Sequence, residues 1–190
     1  YSTTLSVTDA YDDHQLMYDC KAPVSVEYFS MCNRLVSRNV FERNVILPFE
    51  GVNMWDDVGL CTRVRFYTRG TAVINKGFYH YNRQNEQSTT RRPLLERARE
   101  QELCVSCIED FFRKEDSHDK YRLFLSYLRL VAAEDLFYYE PDIWRQKFEG
   151  LKDDLWKLRK LYTTKQLFKF YTLGCGGIIG KLVWKRLWKR

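Results

Sequence analysis

At 190 residues the chain is long enough for one domain with an appendage, and its 45% hydrophobic content excludes wholesale disorder. An aromatic share of 16%, with 13 Tyr and 12 Phe, fits sugar stacking as well as plain aromatic packing. The net charge of +6 is unevenly spread: residues 155–190 hold ten Lys or Arg and no carboxylate, leaving 21 basic against 25 acidic groups in residues 1–154. A uniformly basic, nucleic-acid-coating protein is thereby excluded, and the tail is marked for an anionic surface.

Residues 1–20 are polar, carry an Asp12-Asp13 pair and show little periodicity. The stretch from Val24 to Leu35 reads as containing a short strand, and Ser37 to about Asn44 as a helix with Ser37 as its N-cap. A loop through Pro48 and Gly51 then leads to a second helix, from about Asp56 to Thr68. Leu60, Cys61, Val64 and Tyr67 give that helix an apolar face, and Gly70 ends it. Ala72-Val73-Ile74 and Phe78-Tyr79-His80-Tyr81 read as two short strands, followed by a polar loop over Asn82 to Thr90.

From Arg92 the pattern turns helical. One helix runs to about Lys114, a second from about Asp119 to Ala133, and a third starts near Pro141, a residue suited to a first turn, and continues through Leu158. Cys104 and Cys107 form a lone CxxC at helical spacing. With no second pair nearby they are expected to face a core rather than to bind metal, and reduced, cytoplasmic thiols are the expectation for all six cysteines.

After Gly174, Gly176 and Gly177 break the pattern, Ile179, Val183 and Leu187 recur every four residues, beside Trp184 and Trp188 and a stripe of Lys181, Lys185 and Lys189. Lys181, Trp184, Lys185 and Trp188 are therefore expected to contact an anionic membrane, the alternative being a terminal helix packed on the body. The longest uncharged run, Phe170 to Gly180, is far short of the ~20 residues needed to span a bilayer.

The stretch Leu47-Pro48-Phe49-Glu50-Gly51-Val52-Asn53-Met54-Trp55-Asp56-Asp57 holds the densest candidate chemistry. Preceded by Asn33 to Phe41 and followed by Tyr79-His80-Tyr81-Asn82-Arg83 and Ser88-Thr89-Thr90, it resembles the acceptor-side half of bacterial family 2 glycosyltransferases. That resemblance implies an α/β fragment: the short strands and helices of the acceptor half of a GT-A fold in residues 1–90, a mainly helical region in 91–160, and a basic amphipathic tail in 161–190.

It also implies an inverting transfer of a sugar from a nucleotide-sugar donor to a glycan or lipid-linked acceptor, at the cytoplasmic, inner face of the cell membrane. Asp57 would then be the general base, with Asp56 as the neighbour that disfavours a second negative charge. Trp55 and Tyr81 would bind the sugars, Arg83 would meet the leaving diphosphate, and His80 would be a possible metal ligand. A divalent cation, Mg or Mn, would be held mainly by an Asp-x-Asp motif that residues 1–28 lack, so the resemblance implies the C-terminal portion of a longer transferase. Two departures stand out: Asp56 replaces the commoner Glu, and Trp55 replaces a small residue. The competing expectations are a helix start stabilised by two acids, within a non-catalytic membrane-associated or protein-interaction module, and nucleic-acid binding through the tail, which the tail's aliphatic stripe and the acidic body disfavour.

Overall fold

The computed structural model describes residues 9–18, 20, 29–32, 34–68, 70–74, 92–134, 140–175 and 182. In chain order they form β1 (Asp9–Tyr11), α1 (Asp13–Tyr18), α2 (Arg38–Asn44), α3 (Asp56–Tyr67), β2 (Thr71–Val73), α4 (Leu94–Lys114), α5 (Arg122–Glu134), α6 (Pro141–Lys157), a 3-10 turn η1 (Arg159–Leu161) and α7 (Thr164–Cys175).

The expectation of an α/β, GT-A-like fragment is overturned, because the described residues are mainly helical. Their β component is a three-residue antiparallel pairing that sets Asp9 opposite Val73, Ala10 opposite Ala72 and Tyr11 opposite Thr71. So short a ribbon holds the chain's start against α3 and cannot carry a nucleotide-binding crevice, which needs a parallel sheet with a switch point. The strand expected within Val24 to Leu35 is absent from its described part, where residues 30–32 and 34–35 form a bend and irregular chain. Of the two expected strands, the first is β2, shifted by one residue and paired with the N-terminal segment; Phe78 to Tyr81 and the rest of 75–91 lie outside the described residues.

Packing explains the helices. Along α4 the buried residues Ala98, Gln101, Cys104, Val105, Ile108, Glu109 and Phe112 recur at three- and four-residue intervals, so one stripe faces inward. That stripe meets α3 and α5, and α5 in turn meets α6. Helix α3 follows a different rule. It touches α1, α2 and α4, and five consecutive residues, Cys61 to Arg65, are buried. The single apolar face expected from Leu60, Cys61, Val64 and Tyr67 is therefore replaced by burial on several sides, and Leu60 and Tyr67 stay half-exposed.

Burial all round forces polar groups inside, and each needs a partner. Asp13, fully buried, accepts hydrogen bonds from Arg65 Nη1 at 2.5 Å, Thr68 Oγ1 at 3.1 Å and Thr71 Oγ1 at 3.0 and 3.1 Å. Its neighbour Asp12 takes the Gln15 backbone N–H at 2.9 Å and so caps α1. The Asp12-Asp13 pair is thus a cap followed by a clamp joining α1, α3 and β2. Removing one partner of such a buried ion pair costs about 3–5 kcal/mol.

Helices α6 and α7 form a hairpin around aromatic rings. Trp144, Phe148 and Phe170 are fully buried, with Trp144 stacked on Phe170 at 5.6 Å between centroids and Tyr162 meeting Phe170 edge-on at 5.2 Å. Each such side chain contributes about 1.5–3 kcal/mol by leaving water. Gly174, read from sequence as a helix breaker, instead lies within α7 at the point of closest approach: a Cβ there would meet the Phe148 ring at 2.1 Å. Tail residues 176–181 and 183–190, which include Lys181, Trp184, Lys185 and Trp188, lie outside the described residues. No helix among the described residues is long and apolar enough to cross a membrane.

Candidate active site

The loop that delivers Asp56 and Asp57 is tied down residue by residue. Gly51 takes a left-handed φ of 74°, a conformation that costs glycine little. The backbone N–H groups of Asn53 and Met54 both donate to Glu100 Oε2 of α4, at 3.2 and 2.7 Å. Arg92 grips the same carboxylate with two hydrogen bonds of 2.7 and 2.9 Å. These donors, led by Arg92, hold the Glu100 carboxyl below the ordinary glutamate range.

Trp55 then adopts φ 70° and ψ 18°, a left-handed conformation strained for a residue with a bulky side chain. Its surroundings compensate. Its ring is half-buried against the core, and its carbonyl accepts from the Gly59 N–H at 3.0 Å and the Cys104 thiol at 3.2 Å. Burial pushes that thiol's pKa up to about 12, so it stays protonated as a donor. Behind the loop, Arg63 lays its guanidinium 3.8 Å from the centre of the Phe49 ring and donates Nε to the Gly59 carbonyl at 3.0 Å.

This arrangement aims the two acids differently, because consecutive helical residues do not face each other. Asp56 is exposed, whereas Asp57 is half-buried and accepts a hydrogen bond from Ser30 Oγ on Oδ2 at 3.2 Å. The Ser30 hydroxyl has its own direction fixed, since it accepts the Cys32 backbone N–H at 3.0 Å and turns its proton to Asp57. Arg34 Nε holds the Ser30 carbonyl at 2.6 Å. Among the described residues, Oδ1 of Asp57 accepts no hydrogen bond and the carboxylate joins no ion pair. Beside it, burial pushes the Cys61 thiol up to about 11, which leaves that sulfur neutral between Arg34 and Asp57.

Of the residues expected at a site, Trp55, Asp56 and Asp57 therefore sit together at the start of α3, while His80, Tyr81 and Arg83 lie outside the described residues. Trp55 is partly buried against the core, which leaves only part of its ring exposed. Ser30 and Glu100 were missed by sequence reasoning: they act across 27 and 46 or 47 residues, and neither belongs to a local motif. No group of three or more His, Cys, Asp or Glu among the described residues could hold a metal ion. Cys104 faces the core as expected, and Cys107 is half-buried one turn on. No family model, no curated protein and no solved structure matches this chain.

Proposed function

We propose that this chain carries the acceptor-side carboxylate of an inverting sugar transferase, with Asp57 as the general base. One observation carries the reading: Asp57 is a half-buried carboxylate whose Oδ2 is held by Ser30, while Oδ1 accepts no hydrogen bond among the described residues. In an inverting transfer the acceptor hydroxyl attacks the anomeric carbon from the face opposite the leaving nucleoside diphosphate, and its proton must be taken as the new bond forms. The Ser30 hydrogen bond fixes the carboxylate plane, so Oδ1 can accept that proton without first reorienting. The resemblance in the loop from Leu47 to Asp57 supports a nucleotide-sugar donor and a glycan or lipid-linked acceptor. The donor's diphosphate and its cation are assigned to no described residue.

The basic tail supports peripheral attachment to the anionic inner face of a membrane. The second reading, a non-catalytic membrane-associated or protein-interaction module, is favoured by the mainly helical architecture. In that case the acids merely complement the helix dipole of α3.

Asp57→Asn in the protein as the cell makes it separates the two. The expected result is a loss of turnover of roughly 10²–10⁴-fold with donor binding, read by calorimetry, unchanged. Ser30→Ala is expected to lower kcat by roughly tenfold or less at unchanged KM, as suits a positioning residue. Normal turnover in Asp57→Asn refutes the assigned base.

A further inference from the structure

Large apolar side chains left in water are informative when they gather where carboxylates are scarce. At the tip of the α6–α7 hairpin Trp156 is 60% exposed, Phe168 54% and Leu161 44%. All three lie at the end where α6 turns into α7. An open cleft of about 450 Å³ is lined by Lys152, Asp153, Trp156 and Lys157 of α6 and by Tyr171 of α7, so Trp156 and Tyr171 face the same way across the hairpin. Phe168 lies one helical turn before Tyr171, on the same stripe and nearer the tip. Leu161 belongs to the 3-10 turn between them.

The hairpin's own packing does not need these side chains, since Trp144, Phe148, Leu155 and Phe170 already fill its interior. Their surroundings are cationic. Arg159 places its guanidinium 4.8 Å from the centre of the Trp156 ring and donates to the Trp156 carbonyl at 2.8 Å, which holds the indole in its exposed position. Lys152, Lys157, Lys160 and Lys165 are exposed along the same segment, against the exposed acids Glu149 and Asp153; Asp154 is buried and pairs with Arg122, Ser126 and Lys157.

We infer that the tip of the α6–α7 hairpin, through Trp156, Leu161 and Phe168 with Lys152, Arg159 and Lys160 around them, is a docking surface for an anionic lipid bilayer. Aromatic and aliphatic groups that enter the headgroup region, ringed by cations that meet the phosphates, are the chemistry of interfacial binding. A nucleic acid would use the cations and the flat rings but would leave Leu161 without a role. This inference rests on the membrane reading of the tail in sharing its partner, and it is independent of Asp57.

The test is co-flotation of the whole chain with vesicles of phosphatidylcholine alone and of phosphatidylcholine with phosphatidylglycerol, for the natural sequence and three variants. The double variant Trp156→Ala/Phe168→Ala is expected to bind anionic vesicles on the order of tenfold more weakly. The variant Lys152→Gln/Lys160→Gln is expected to lose roughly fivefold per charge removed. All of these positions are exposed, so circular dichroism should show an unchanged fold. The tail variant Trp184→Ala/Trp188→Ala keeps the two contacts apart. If it alone abolishes flotation and the hairpin variants bind as the natural sequence does, the hairpin surface is refuted and the tail reading stands. Failure of the natural sequence to float overturns both. Binding to heparin or single-stranded RNA as tight as to anionic vesicles, and equally weakened by the hairpin variants, reassigns the surface to a soluble polyanion and overturns the lipid assignment.

Discussion

Asp13 and Asp57 both lie in the first turn of a helix, and both meet the hydroxyl of a serine or threonine. Around Asp13 every acceptor direction is used: Arg65 and two threonines surround both oxygens, and no solvent reaches the side chain. Around Asp57, among the described residues, a single hydroxyl holds one oxygen of a half-buried carboxylate, and the other accepts no hydrogen bond. The difference separates two uses of the same chemical group. A saturated carboxylate contributes stability and has nothing left with which to react, whereas a carboxylate held on one side is positioned and still available.

That contrast is easiest to break through stability. Asp13→Ala leaves the Arg65 guanidinium buried without its counter-ion and should cost about 3–5 kcal/mol in urea unfolding. Asp57→Ala should cost less than about 1 kcal/mol, because it gives up one hydrogen bond at a partly hydrated position. Equal losses in the two variants would erase the distinction.

Glu100 sharpens the comparison from the supporting side. Glu100→Gln should destabilise the protein by about 2 kcal/mol at neutral pH, since the charge that holds Arg92 and two loop N–H groups is gone. The pH dependence has a definite sign. The folded carboxyl titrates below its unfolded value, so its contribution is complete above the unfolded pKa near ~4.3 and is lost as pH falls through the lower, folded value. Urea midpoints of the natural protein and Glu100→Gln should therefore converge as the pH is lowered from about 4.3 into the acid range. A gap that stays constant over that range would refute the anchor. A smaller effect than at Glu100 is expected at Thr71→Val, about 1 kcal/mol, because Asp13 keeps Arg65 and Thr68. A neutral result there would mean that the ribbon's own backbone pairing suffices to hold β2.

How legible each part was in the sequence follows from the range of the interactions that make it. Helix α4 was expected as Arg92–Lys114 and runs Leu94–Lys114, because its inward stripe repeats locally; α6 was marked by Pro141, which opens it. The helix expected from Ser37 to Asn44 forms as Arg38–Asn44, with Ser37 in the N-cap position but without a side-chain cap bond. The β pairing was illegible, because three residues such as Asp9–Tyr11 carry no alternation and their partners lie sixty or more positions away. The role of Asp13 was hidden for the same reason, its counter-ion being 52 residues on. Helix α7 was missed because Gly174 is a breaker by propensity, and tertiary packing overrode that preference. At the candidate site the acids were visible from the loop that precedes them. The strained Trp55 backbone, the Ser30 hydroxyl and the Glu100 anchor were not, since each is a tertiary fact.

The 2.1 Å separation at Gly174 binds the later history of two positions together. No side chain, even a methyl, can enter at 174 while the Phe148 ring stays where it is, and Phe148 cannot leave without opening a void beside Trp144 and Tyr171. Substitution at either position alone is thus penalised, and a compensated path must shrink 148 as it enlarges 174. The pair behaves as one inherited unit written at two places in the chain, and α6 and α7 must diverge in step.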